Sequence, residues 1–422
     1  MIVKIKNYLL LFFLIVLPFQ TRLIYKSVFL KGTFWEYGSL SLYGTELLLA
    51  LIVVFDLISR LKNKEFRKRL TVFRTQPALS VVGLLSVLAI YYFSSLNREV
   101  TWQYLNYVIY GACLMIIIAQ NGLSKERLTL ALWGGGLVQA LFAISQFFTQ
   151  NIFANKWLGM ANHNPGELGT AVIEFGDQRW LRAYGVFGWP NALGIYLAAI
   201  FLFGIILILS SKSKRDQLYI LLGQIIILVG LFFSFARGAW LALAISGLVI
   251  IWKNYKNIFL WQQLAIYGLV AIILVFTFKP LLFSRFNLQN RLEQRSISER
   301  EQQWQDFKVV FSNHQFLGVG PGAYTYGLYQ QQLYHGYDFQ PVHNIYLLFL
   351  GEWGLLGAAI FLSGLSFVYK KINFLFPPLF CVLLAGFFDH WSLSMFTGIA
   401  FLGILVAFSW RFSGIDTIST KE

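Results

Sequence analysis

Stretches of predominantly apolar residues recur along the whole of this sequence, and they restrict its fold more than any other feature. About 20 such residues in a helix are enough to cross the hydrocarbon core of a bilayer. Of the 422 residues, 57% are hydrophobic and 13% are charged, whereas about 25% of the residues of a soluble domain are charged. The sequence therefore predicts an all-α integral membrane protein with about twelve transmembrane helices, near residues 8–25, 40–59, 77–96, 104–121, 127–149, 188–210, 217–235, 238–252, 260–279, 343–369, 373–389 and 391–410.

The basic residues predict how these helices are oriented. Short basic segments fall at alternate connections between the predicted spans, at residues 60–74, 212–215, 253–256 and 370–371. Because Lys and Arg are enriched in cytoplasmic loops, these connections and both termini are predicted to lie inside the cell. The same loops account for much of the net charge of +15. They indicate contact with anionic membrane lipids, and nothing in the sequence indicates a basic soluble module that would bind nucleic acid.

Two long connections, 150–187 and 280–342, fall on the outer side of this topology, the second of them between predicted helices 9 and 10. The segment 296–313, "SISEREQQWQDFKVVFSN", predicts an amphipathic helix, for which Ser298 and Glu301 have the spacing of a capping box. Ordered polar loops on this side are where the protein is expected to act on a molecule outside the cytoplasm.

A glycine-rich cluster, "LGVGPGAY" at 317–324, follows that predicted helix. Its glycine spacing is similar to that of loops that hold phosphate, but such loops normally follow a strand, and no strand is predicted before it. Gly-Pro clusters also form tight turns. The second interpretation, a tight turn that leads the chain back toward the membrane, therefore stands beside the first.

His343 and Asn344 begin the tenth predicted span, in "PVHNIYLLFLGEWGLLG" at 341–357. The N-terminus of a helix carries partial positive charge and free N–H groups. This field disfavours the imidazolium ion, so His343 is expected to be neutral and able to accept a proton. Asn344 is a suitable helix cap. The alternative is that both residues only cap the helix at the membrane interface.

Three arginines, Arg182, Arg237 and Arg300, lie on the predicted outer side. The distribution of positive charge in membrane proteins disfavours arginine there, so each one needs a reason. One reason is that their side chains reach lipid phosphates at the interface. The other is a shared anionic ligand, because guanidinium groups bind phosphate oxygens in a bidentate fashion. A neutral base beside several arginines suits a reaction with a phosphate leaving group.

At this point the sequence resembles a known family. Four stretches in this order, "RAYGVFGWPNALGIYL", "SFARGAWLAL", "LGVGPGAY" and "HNIYLLFLGEWGLLG", are similar to the O-antigen ligase and O-antigen polymerase superfamily. The resemblance covers roughly residues 130–410. It divides the chain into an N-terminal part, 1–127, with helices 1–4, and a ligase- or polymerase-like region, 128–422, which includes both long outer loops.

The resemblance implies an integral membrane glycosyltransferase that uses no metal and no cofactor. Such enzymes take a glycan from undecaprenyl pyrophosphate on the periplasmic or outer side of the bacterial cytoplasmic membrane. Ligases pass it to the lipid A core of lipopolysaccharide, polymerases pass it to another lipid-linked repeat, and some relatives pass it to Ser or Thr of a protein. The essential histidine of the family matches His343, which is implied to be the catalytic base of an inverting displacement. Arg237, Arg300 and Arg182 match its functional arginines, and Asn344 is grouped with them as substrate-binding.

Four other polar residues have no firm role from sequence. Asp389 and His390 lie at the predicted outer turn between spans eleven and twelve, where they either orient the base or the acceptor or belong to an interfacial belt. Glu352 lies nine residues after His343, half a helical turn away in direction, and is expected to pair between helices. Glu46 is unassigned.

A lipid-linked glycan flippase, or another transporter with many spans, is the alternative function. Transporters often consist of two related halves with interrupted helices near the middle of the membrane. The sequence has no evident internal repeat, and its candidate functional residues gather on one side. These observations favour the enzyme.

Overall fold

The computed structural model describes residues 1–62, 76–333, 339–368 and 372–412, and most of this chain is helical. The helices are α1 (Ile2–Val16), α2 (Gly44–Leu61), α3 (Gln76–Ser94), α4 (Arg98–Gln120), α5 (Lys125–Thr149), α6 (Pro190–Ser210), α7 (Lys214–Phe233), α8 (Arg237–Asn254), α9 (Ile258–Thr277), α10 (Lys279–Phe286), α11 (Arg291–Asn313), α12 (Tyr324–Gln330), α13 (Ile345–Val368), α14 (Pro377–Ala385), α15 (Trp391–Ser394) and α16 (Phe396–Phe412). The strands are β1 (Arg22–Lys26), β2 (Phe29–Leu30), β3 (Thr33–Phe34), β4 (Leu40–Tyr43), β5 (Val172–Phe175) and β6 (Gln178–Leu181).

Six of the described helices are long and apolar enough to cross a membrane, as expected of a multi-pass membrane protein. They are α4, α5, α6, α7, α9 and most of α13. Each of the twelve predicted spans overlaps a helix of the structure. Several of those helices are shorter than a span, however, such as α1 with 15 residues and α14 with 9 residues. Twelve crossings therefore stay a prediction.

Helix α6 lies at the centre of the packing. Pro190 occupies its first turn, where the missing N–H costs no hydrogen bond. Apolar residues surround the helix on all sides, and most of them are buried, as expected of a helix enclosed by others. Helices α5, α7, α8 and α14 pack around it. The first residues of this rigid central helix, including Asn191, enter the site described below.

The expectation of an all-α chain is wrong in one respect, because three two-stranded antiparallel sheets occur in the connections. The first predicted span, 8–25, stops short: α1 ends at Val16, and Arg22–Lys26 forms β1. Pro18 explains the early end, since proline has no N–H group to continue the hydrogen bonds of the helix. Strand β1 pairs with β4, β2 with β3, and β5 with β6.

The connections at one end of the helices pack against each other. We call this assembly the loop layer, which consists of residues 17–43, 150–189, 233–237, 278–333, 339–344 and 386–395. Hydrogen bonds within it join segments that are distant in sequence: Trp35 Nε1 donates to Thr325 Oγ1 at 3.0 Å, and Ala183 N donates to Phe233 O at 2.9 Å. Both long connections predicted on the outer side belong to this layer.

The opposite end of the helices carries a second cluster of charges. Lys6 and Arg60 both form ion pairs with the buried Asp56. Of the segments predicted to be cytoplasmic, residues 63–74 and 370–371 lie outside the described residues.

Helix α11 begins earlier than its sequence indicates. Its first residue is Arg291, and the side chain of Asn290 caps it by accepting a hydrogen bond from Leu292 N at 3.3 Å. The predicted capping box at Ser298 is therefore wrong, because an asparagine two turns upstream already satisfies the free N–H groups. Phe307 is buried on the apolar face of this helix and packs onto the turn and the helix that follow.

The glycine cluster forms a tight turn that packs against α13. Its three glycines, Gly318, Gly320 and Gly322, all have positive φ angles. The N–H group of Val319 donates to Gly351 O at 2.9 Å, and that of Gly320 donates to a carbonyl of the same helix. Because these N–H groups bond helix carbonyls, they are not free to hold phosphate, and the turn has a structural role.

The turn fits α13 because that helix is kinked at Gly354, whose φ and ψ are 61° and −168°. The kink frees N–H groups and carbonyls of the helix, and the loop before the turn meets them: Leu355 N donates to Gln315 O at 2.8 Å, and Leu356 N donates to Phe316 O at 3.0 Å. The kink and the glycine turn therefore stabilise each other.

We expect the substitution Gly354→Ala to destabilise the protein strongly. A Cβ atom there would lie 2.4 Å from the carbonyl oxygen of Phe316, at a φ angle that favours glycine. Gly364→Ala is the matched control in the same helix, since a Cβ atom at that position meets no atom within 4 Å. The measurement is the melting temperature and the monodisperse yield in detergent. Equal values for the two variants would contradict this account of the kink.

Candidate active site

Arg237, Arg285 and Glu293 form a buried ion cluster in the loop layer. Arg237 is the first residue of α8, directly after the short link from α7. Its guanidinium donates to Arg285 O at 2.6 Å and to a carboxylate oxygen of Glu293. Arg285 donates to the other carboxylate oxygen of Glu293, which is 2% exposed. One carboxylate therefore holds two arginines together.

Arg182 lies beside this cluster, at the end of the β5–β6 hairpin. Its side chain is buried, and it donates from Nε to Ser234 O at 2.9 Å and from Nη2 to Asn191 Oδ1 at 2.8 Å. Burial and the positive charge of Arg285 lower the pKa of Arg182 well below its ordinary value. A guanidinium nevertheless stays charged in proteins. An anion bound beside Arg182 would offset the energetic cost of burying this charge, so the position favours the binding of an anion.

Arg300 lies on α11, two turns after Glu293. Its guanidinium donates to Ser296 Oγ at 3.3 Å, and none of the ion pairs among the described residues includes it. Burial and the positive charge of Arg237 lower the pKa of Arg300. Arg300 thus lies near other positive charges and forms no ion pair with a carboxylate of the described residues.

These arginines line a cavity of about 630 Å³, here called the arginine cavity. Seven arginines contribute to its walls: Arg179, Arg182, Arg237, Arg285, Arg291, Arg295 and Arg300. Among the described residues, ion pairs engage five of them, with Glu174, Glu293 and Glu299 as partners, and leave Arg182 and Arg300. Apolar residues such as Leu241 complete the walls. The cavity is thus arranged to accept a group with several negative charges.

His343 lies in the loop layer just before α13 and contacts Gln303 of α11. Its backbone N–H and its ring Nδ1 both face Gln303 Oε1, at 3.1 Å and 3.0 Å. Burial lowers the pKa of His343, and the positive charge of Arg300 lowers it further, while Asp389 opposes this effect. Both effects favour the neutral imidazole.

His343 lines a second cavity of about 690 Å³, here called the histidine cavity. This cavity shares Arg182, Asn191 and Glu299 with the arginine cavity. Its remaining wall is rich in aromatic and imidazole rings: Phe34, Trp35, Tyr37, His163, Tyr184, Trp189, Phe339 and His390. Four of the five sequence-predicted site residues, His343, Arg182, Arg237 and Arg300, thus line two adjoining cavities that share a wall, with arginines on one side and the candidate base on the other.

Asn344 acts as the cap of α13. Its Oδ1 accepts hydrogen bonds from Tyr346 N at 2.9 Å and Leu347 N at 3.1 Å, and its amide donates to Phe387 O at 3.4 Å. It lines neither of the two cavities. Both a helix cap and a substrate contact were expected of Asn344 from the sequence, and the substrate contact stays a prediction.

His390 contacts His343, with their ring centroids 5.1 Å apart. Its Nδ1 lies 2.7 Å from Ser394 Oγ, and burial lowers the pKa of His390 to about 3, so it too is neutral. Asp389 accepts hydrogen bonds from Trp189 Nε1 and from the backbone of its second neighbour, Trp391. The pair therefore packs beside the base, and no hydrogen bond of theirs to its ring occurs among the described residues.

Glu352 has a different environment from the one expected. It is 4% exposed, and the backbone N–H groups of Gly322 and Tyr324 in the glycine turn donate to it. The sequence analysis expected a partner on another helix. The kink at Gly354 instead brings the glycine turn against this part of α13, and backbone N–H groups at the end of the turn supply the hydrogen bonds of Glu352.

Three residues of the site were missed by sequence reasoning: Arg285, Glu293 and Gln303. The argument that singled out arginines on the outer side also applies to Arg285, so its signal was present. Glu293 and Gln303 carry no such signal, because acids and glutamines are ordinary on the polar face of an amphipathic helix.

The comparison with protein families agrees with this geometry. Residues 222–362 match the family model Wzy_C, described as O-antigen ligase. This match supports the resemblance of the chain to the O-antigen ligase and polymerase superfamily. The O-antigen ligase domain contains Arg237, Arg300 and His343, whereas Arg182 lies before it. No curated protein matches this chain.

The ion cluster predicts that two carboxylates of α11, those of Glu293 and Glu299, contribute differently to the stability of the protein. Glu293→Gln should lower the melting temperature by several degrees, because breaking a buried pair by removing one partner costs roughly 3–5 kcal/mol. Glu299→Gln should change it little, since Glu299 pairs with the exposed Arg295 and such pairs contribute about 0–1 kcal/mol. The measurement that tests this difference is the thermal unfolding of the two purified variants in the same detergent. Equal melting temperatures would show that Glu293 does not hold the arginines together.

Proposed function

We propose that the protein transfers a glycan from an undecaprenyl-pyrophosphate donor to an acceptor hydroxyl, on the outer side of the bacterial cytoplasmic membrane. The observation that carries the proposal is the junction of an arginine-lined cavity with a cavity lined by the half-buried His343, whose pKa is lowered by desolvation of its ring. The O-antigen ligase domain, which contains both kinds of residue, supports the same conclusion.

In this proposal Arg182, Arg237 and Arg300 bind the donor's pyrophosphate in the arginine cavity. Charge-assisted hydrogen bonds from guanidinium to phosphate are strong and directional. As the bond between the anomeric carbon and the pyrophosphate oxygen breaks, negative charge grows on the leaving group, and positive groups already in place stabilise it. The arginines supply this charge themselves, so the proposed reaction needs no metal ion. The lipid tail of the donor lies between helices, in the bilayer.

His343 acts as the general base. The acceptor hydroxyl enters the histidine cavity and attacks the anomeric carbon from the side opposite the pyrophosphate, while the imidazole takes its proton. One carbon–oxygen bond forms as the other breaks, so the configuration at the anomeric carbon is inverted. The products are the glycosylated acceptor, undecaprenyl pyrophosphate and an imidazolium ion that later loses its proton to water.

Three acceptors fit this chemistry: the lipid A core, which would make the protein a ligase, the glycan of another lipid-linked repeat, which would make it a polymerase, and a protein hydroxyl. The aromatic wall of the histidine cavity offers apolar surfaces to a sugar ring, which supports a carbohydrate acceptor. Transport was the alternative function. The gathering of the site residues in the loop layer, at one end of the helices, supports the enzyme instead.

His343→Ala should reduce glycan transfer by roughly 10²- to 10⁴-fold, the usual contribution of a general base. Because burial lowers the pKa of His343, the neutral form predominates at pH 7. The rate at low substrate concentration should therefore be constant near neutrality and fall only as the pH drops below about 6.5. His314→Ala, at the end of α11, is the control and should retain transfer. A His343→Ala variant that is folded and fully active would refute the proposed function.

Arg300→Ala should reduce transfer by roughly ten- to a hundredfold, because a charge-assisted contact contributes about 1.5–3 kcal/mol. Arg237→Ala should do the same and also lose stability through Glu293. Lysine at either position should restore only part of the transfer activity, since it lacks the paired N–H donors with which a guanidinium binds phosphate in a bidentate fashion. The defect should appear in donor affinity or in the chemical step, whichever acceptor is supplied. Arg127→Ala, at the opposite end of the helices, is the control, and a change confined to the acceptor's KM would remove the pyrophosphate assignment.

A further inference from the structure

Gln303 makes two contacts with His343 through a single atom. Its Oε1 lies 3.1 Å from the backbone nitrogen of His343 and 3.0 Å from the ring Nδ1. No other hydrogen bond to this ring occurs among the described residues. Gln303 lies one helical turn after Arg300 on α11, so the two side chains are neighbours on the helix surface.

The two contacts together determine which ring nitrogen carries the proton. A backbone N–H group can only donate, so the glutamine atom that faces His343 N must be the carbonyl oxygen, whichever way the amide group is placed. An oxygen of this kind can only accept. The Nδ1 atom that faces the same oxygen must therefore carry a hydrogen. In a neutral imidazole one nitrogen is a donor and the other an acceptor, which leaves the lone pair on Nε2.

We infer that Gln303 is a positioning residue that holds His343 in the Nδ1–H tautomer and so presents Nε2 to the acceptor hydroxyl. The inference rests on the proposed function of His343 as a base. It adds the atom that receives the proton and the residue that selects it. A hydrogen bond to one ring nitrogen commonly sets the role of the other in this way.

Other groups around His343 do not replace this contact. The charged and titratable groups around it are Glu299 and Arg300 on α11, Asp389 and His390 after α14, and Glu36, Tyr37, His163, Arg182 and Tyr184 on the far wall of the histidine cavity. Gln303 differs from the carboxylates and guanidinium groups among them in carrying no charge. It therefore orients the ring without stabilising the imidazolium ion, and His343 remains a neutral base.

Two substitutions separate orientation from mere packing. In Gln303→Leu neither bond can form, so we expect kcat to fall roughly ten- to a hundredfold, as for other residues that orient a functional histidine, with little change in the donor's KM. In Gln303→Glu a carboxylate can still accept from both His343 groups, so activity at neutral or higher pH should be retained. Its negative charge should stabilise imidazolium and raise the pKa of His343 by about one unit or more.

The pH profile is therefore the decisive measurement. In Gln303→Glu the acid limb of kcat/KM should move upward by about one pH unit or more, because His343 then becomes protonated, and inactive as a base, at a higher pH. Gln305→Leu, an exposed position on the same helix, is the matched control and should leave both kcat and the profile unchanged. Each variant is the full chain in detergent with a defined undecaprenyl-pyrophosphate glycan.

The outcomes separate the inference from the proposed function. If Gln303→Leu is as active as Gln305→Leu, or if Gln303→Glu leaves the acid limb where it was, Gln303 does not orient the base and the inference is wrong. If Gln303→Leu does not fold, the profile of Gln303→Glu still decides. A fully active His343→Ala variant would instead refute the proposed function itself.

Discussion

The site depends on the bridge that Glu293 forms between Arg237 and Arg285. Two unit positive charges about 4 Å apart repel each other by about 4 kcal/mol in a protein interior near the surface. The carboxylate between them removes this obstacle and lets both guanidinium groups stay in the loop layer. It does not neutralise the site, because Arg182 and Arg300 form no ion pair among the described residues. If a carboxylate paired with every arginine, no positive charge would remain to attract an anion. If no carboxylate were present, repulsion would keep the arginines apart.

Helix α11 connects the two cavities. Glu293, Arg300 and Gln303 lie within ten residues of each other, which is about 15 Å along the helix axis. In order, they hold the ion cluster, offer a guanidinium to the arginine cavity and contact the base in the histidine cavity. The buried Phe307 and Val310 fix the rotation of this helix by packing within a small core under it. A rotation of α11 would displace all three polar residues together, so the packing of its apolar face also sets the geometry of its polar face.

Sequence reasoning located the helices, the two long connections and the residues His343, Arg237 and Arg300, because each has a local signal. A long apolar run indicates a helix, and an arginine on the side predicted to be outer indicates a site. The same reasoning missed the three two-stranded sheets, whose strands are short; β1 lies where the first predicted span, 8–25, was expected to continue past Pro18. It also missed that Glu293 pairs with two arginines. Nor did it predict that Gln303, and neither Gln302 nor Gln305, contacts His343. These depend on contacts between segments that are distant in the chain, and no local pattern encodes them.

The two cavities also differ in where their walls come from. Arg237, Arg300 and His343 all belong to the O-antigen ligase domain at 222–362. The aromatic wall that faces His343 includes Trp35 and Tyr37, which come from the N-terminal β-segment, far outside that domain. Under the proposed function, the base and two of the three arginines that hold the pyrophosphate therefore come from the region that matches the family, whereas Arg182 lies before it. The surface that meets the acceptor is built in large part by other segments. Under the proposed function, a change of acceptor would therefore involve those segments, about which a match to residues 222–362 carries no information.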